Sequence, residues 1–208
     1  MIKISKVLTL DKIEIFNSLV NCDGNVNRID YFSLGEPILD PPCLRGTIII
    51  DFNFQFLLDN QDYFDYGSPI DVGSIKFGFI KINSDVERFI ESTKCNYNKF
   101  FNVIEKCSFK KSPFDMLSNH IFSMEYLEII ENYFQLSVVD LIKKSNDPHT
   151  WLFEFCLKEG YQLELEHINK IFIPNTYLFM SPFLELNKIN SQKIVTYNPK
   201  YGIESYVR

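Results

Sequence analysis

Hydrophobic and polar positions alternate most regularly between residues 46 and 81. In GTIIIDFNFQFLLDN, Ile48, Ile50, Phe52, Phe54 and Phe56 share one parity, and Asp51, Asn53 and Gln55 the other. A period of two is the repeat of a half-buried strand. Ile75, Phe77 and Phe79 alternate with Ser74 and Lys76 in the same way. The two runs predict a long hairpin. Its tip holds Asp59, Asp62, Asp65 and Asp71 interleaved with Tyr63, Phe64 and Tyr66, and is too long for a two-residue turn.

Other periods fill in the rest of the chain. Lys3 to Leu8 reads as an opening strand, and Asp11 is placed to cap a short helix up to Val20. Residues 21–46 are turn-rich, with Gly24, Gly35, Pro37 and the Pro41-Pro42 pair. Ser84-x-x-Glu87 has the spacing of a capping box. Apolar residues from Val86 to Ile104 then recur at helical spacing, predicting a helix over about 85–106 that is weakest at Cys95 to Asn98. Ser112-Pro113 and Asp147-Pro148 open further helices, the last running from Trp151 to Lys158 and stopped by Gly160. Alternation returns at Tyr161, Leu163 and Leu165, and strands are expected at Ile168 to Ile173, Gln192 to Tyr197 and Ile203 to Val207. The order is strand-rich 1–83, helical 84–159, strand-rich 160–208. It predicts a single α+β domain over 1–208, with a mostly antiparallel sheet and the helical middle section packed on it.

Composition supports a packed core: 46% of residues are hydrophobic, and they include 20 Phe and 11 Tyr. Alanine, the best helix former, is absent, so helices here depend on packing. The five cysteines are odd in number and form no CxxC, which fits reduced thiols and a cytoplasmic protein. The first 16 residues are interrupted by charge and lack a signal-peptide core, and no apolar run is long enough to span a bilayer.

Charge is unevenly placed. Residues 1–80 carry 11 acids and 6 bases, a balance of −5; residues 81–208 carry 16 acids and 15 bases, a balance of −1. Between Asp30 and Ile75 there are eight acids and one base, Arg45. Such a surface repels a phosphate backbone, so nucleic acid is not an expected partner, and it favours encounter with a basic protein.

Catalytic patterns are missing. There is no GxGxxG, GxxxxGK[ST], GxSxG, HExxH or Glu-x-Lys. The tip aspartates are oxygen donors of the kind calcium accepts, but Gly67 falls out of register for an EF-hand loop. On a strand, Glu164 and Glu166 share a face while His167 points away, so these three are not expected to grip one ion. No metal and no cofactor are expected.

In size, acidity and lack of catalytic motifs the chain resembles the small cytosolic immunity proteins that neutralise bacterial toxins. That resemblance implies a protein-binding module without catalysis, an immunity-type inhibitor occluding a basic toxin or effector. The expected contacts are Asp51, Asp59, Asp62, Tyr63, Asp65, Tyr66 and Asp71, since Tyr supplies interface area and a hydrogen bond at low entropy cost. Two alternatives stand beside it: a metal-assisted hydrolase using dispersed carboxylates, and a viral or pathogen interaction protein with no catalysis. In all three the tip aromatics could instead fold back onto the sheet.

Overall fold

The computed structural model describes residues 4–8, 24–34, 48–68, 72, 84–106 and 154–198. The fold is α+β, with a mostly antiparallel sheet and a few helices, as the pattern predicts. The chain falls into two compact units. Among the described residues, one unit comprises 31–34, 64–68, 72, 84–106 and 154–157. The other comprises 4–8, 24–30, 48–63 and 158–198.

Strands β1 (Ile4–Leu8), β2 (Asn25–Val26), β4 (Ile48–Phe52), β7 (Tyr161–Gln162), β8 (Ile168–Pro174) and β9 (Ile194–Tyr197) lie in the second unit. There β1 and β8 flank β4 antiparallel, and β9 lies on the far side of β8. The β8–β9 pairing is parallel. Parallel neighbours require a crossover, and helix α4 (Ser181–Asn190) is part of the connection. The pattern did not predict that helix. Its signal is Ser181-Pro182, which places proline in the first turn of the helix.

The predicted hairpin is overturned. Strand β4 ends at Phe52, and β1 and β8, rather than residues 73–81, are its partners among the described residues. Asn53 stops it: its side-chain Oδ1 accepts from the Phe56 N–H at 3.3 Å, which starts helix α1 (Gln55–Asp59). A 3₁₀ turn at Gln61–Tyr63 follows, then strand β5 (Phe64–Ser68). Phe52 and Phe56 remain in the core, stacked at 4.4 Å. Alternation of large apolar residues satisfied a strand period and a helix start equally well. The second expected arm, 73–81, lies outside the described residues.

The first unit holds β5, β6 (Glu154–Leu157), residues 31–34 of β3 (Asp30–Leu34), and helices α2 (Ser84–Thr93) and α3 (Tyr97–Lys106). Its strand order is β5-β6-β3, with β5 and β6 antiparallel. The helix expected over 85–106 is two helices, broken at the predicted weak point. There Cys95 leaves the helix to exchange two backbone hydrogen bonds with Gly67, 2.8 and 2.9 Å. Phe64 lies against Tyr97, Phe100 and Phe155, and Phe155 stacks on Phe32 at 5.1 Å, so aromatic rings carry this core. The rest of the expected helical middle, 107–153, lies outside the described residues, as do the helix at 11–20 and the strand at 203–207.

Residues 154–157 correct a second expectation, being strand rather than the end of a helix from Trp151. All four are buried, Glu154 included. A short run buried on every side carries no period, so pairing with β5 decides its form. Gly160 stops no helix. It takes a left-handed φ of +90° in the turn before β7, and its Cα packs on the Tyr63 ring, which an added Cβ would meet at 3.1 Å.

Candidate functional site

Six of the seven expected contact residues are described, and they lie on four elements. Asp51 is half-buried in β4, opposite Lys170 of β8. Asp59 ends α1, and Asp62 and Tyr63 form the 3₁₀ turn; all three belong to the second unit. Asp65 and Tyr66 lie on β5 in the first unit. Asp71 lies outside the described residues. Asp59, Asp62 and Asp65 are exposed, while Phe64 is buried and Tyr63 and Tyr66 are half-buried. The aromatics therefore fold back in part. The Tyr66 hydroxyl donates to Glu154 Oε1 at 3.3 Å, and Lys94 Nζ sits 4.5 Å from its ring centre. Burial, then the nearby Glu154 carboxylate, pushes the Tyr66 phenol far above its usual range.

What the second unit does bring together are residues 53–63 and 159–167, about 100 positions apart. Asn60, fully buried, donates through Nδ2 to the carbonyls of Phe56 and Gln162, 2.9 Å each, and accepts through Oδ1 from the Gln162 N–H at 2.7 Å. The Asn53 N–H bonds the His167 carbonyl at 2.9 Å, and its Nδ2 the Glu166 carbonyl at 2.6 Å.

His167 completes the seam. It lies in a 3₁₀ turn, Leu165–His167, not on the strand the alternation predicts. Its buried ring accepts at Nδ1 from the Glu164 N–H at 3.2 Å, and Nε2 lies 2.9 Å from Asp59 Oδ2. The Phe56 ring meets it edge-on at 5.6 Å. Hydrogen bonds from Gln55, then His167, hold the Asp59 carboxyl below the usual carboxylate range. Both imidazole nitrogens are committed, so His167 offers no free lone pair to a substrate proton or a metal ion. Sequence reasoning noted this histidine but gave it no partner. The only local signal is the Glu164-x-x-His167 spacing of a capping box, and nothing in the sequence points to Asp59.

A second polar centre lies deeper in the same unit. Asp30, at the start of β3, takes Lys6 Nζ at 2.8 Å on Oδ1, and Arg28 Nε at 2.9 Å and the Tyr161 hydroxyl at 2.7 Å on Oδ2. Burial works against its ionised form, yet the Lys6 charge and the bonds from Lys6, Arg28 and Tyr161 prevail and keep the carboxyl below its usual range. Burial and Asp30 drive the Tyr161 phenol far upward.

Among the described residues, no three His, Cys, Asp or Glu side chains gather so as to hold a metal ion. Burial pushes the Cys95 thiol up to about 11, the direction opposite to that of a nucleophile. No helix among them is long and apolar enough to cross a membrane. Compared with protein-family models, curated proteins and solved structures, the chain matches nothing.

Proposed function

We propose that this chain is a cytoplasmic protein-binding module without catalysis, of the immunity type, which covers a basic partner such as a toxin with an acidic surface. One observation supports this reading best. The two segments sewn together by Asn53, Asn60 and His167 carry the exposed acids Asp59, Asp62, Glu159, Glu164 and Glu166, and neither 48–63 nor 159–168 contains a Lys or Arg. Lys158 and the half-buried Lys193 stand at the margin. Carboxylates concentrated in this way raise the rate of encounter with a basic partner and make binding salt-sensitive. Within the expected contact set, Asp62 and Tyr63 fit the role best. Asp65 and Tyr66 belong to the other unit, and Asp51 lies in β4. Among the described residues, no cluster of carboxylates supports the metal-hydrolase reading.

The test is capture from the native cells at low salt, using tagged wild-type protein and a variant carrying Asp62→Asn, Glu159→Gln and Glu166→Gln. These positions are exposed, and Asp59, which supports His167, is spared. The expected result is a single basic partner in one-to-one ratio, released by high salt and retained at least about tenfold less by the variant. Equal retention by both proteins, or a partner indifferent to salt, would sink the proposal.

A further inference from the structure

We draw no further inference here: the strongest candidate, the apolar surface patch where β8 runs into α4, with Phe179 78% and Leu184 38% exposed, carries nothing because nothing in the structure shows what covers it.

Discussion

The hydroxyl of Tyr161 donates to Oδ2 of Asp30 at 2.7 Å, joining positions 131 apart. The same carboxylate meets the Lys6 ammonium, and both of those side chains are about 5% exposed. Removing one member of a buried ion pair strands the other, at about 3–5 kcal/mol, whereas losing one hydrogen bond to a charged group costs about 1.5–3. Asp30→Asn should therefore destabilise the protein more than Tyr161→Phe. Urea unfolding of the two variants checks the ranking, and the reverse order would show that Lys6 finds another acceptor.

The same centre shapes stability against pH. Asp30 binds its proton more weakly folded than unfolded, so it stabilises the fold above the ordinary value of 3.8, and that stability is lost as pH falls through the lower folded value. Tyr161 does the opposite: its stabilisation is complete below 10 and declines as pH rises beyond it. Thermal melts across pH should show both limbs. Tyr161→Phe should flatten the alkaline limb in part, since Tyr66 is raised in the same direction. An unchanged alkaline limb would remove Tyr161 from the account.

Gly67 has no room for a side chain. A Cβ there would lie 2.1 Å from the buried Phe100 ring, and the backbone cannot retreat because Gly67 is bonded twice to Cys95. Gly67→Ala should cost about 1–3 kcal/mol or more, as overpacking does. Phe100→Leu should relieve it, making the double variant more stable than the sum of the single losses by at least about 0.5 kcal/mol. Strict additivity in a double-mutant cycle would count against the clash.

Asn60→Ala removes three hydrogen bonds at a fully buried position and leaves both the N–H and the carbonyl of Gln162 without their partner. The expected loss is about 2–4 kcal/mol. Hydrogen exchange should show the Gln162 amide opening more than amides of β8. Uniform change across both would mean that the seam is not a local unit.

Alternation and turn residues determined much by themselves: the α+β class, strands at Ile4–Leu8, Ile168–Pro174 and Ile194–Tyr197, and a helical stretch weak at Cys95. These are regular segments whose local period agrees with their final burial. Where period and burial part company, only tertiary structure decided. Phe54 and Phe56 fit a strand until the Asn53 side chain took the Phe56 N–H at the start of a helix, and Glu154–Leu157 took its form from β5. The candidate site belongs wholly to that second class. Asp59 was legible as an exposed acid, but its pairing with His167, and the meeting of 53–63 with 159–167, rest on bonds spanning 102 to 113 positions. Local sequence specifies a residue's own backbone preference. It carries no record of which distant carbonyl or carboxylate will fill an empty hydrogen-bonding position once the sheet has closed.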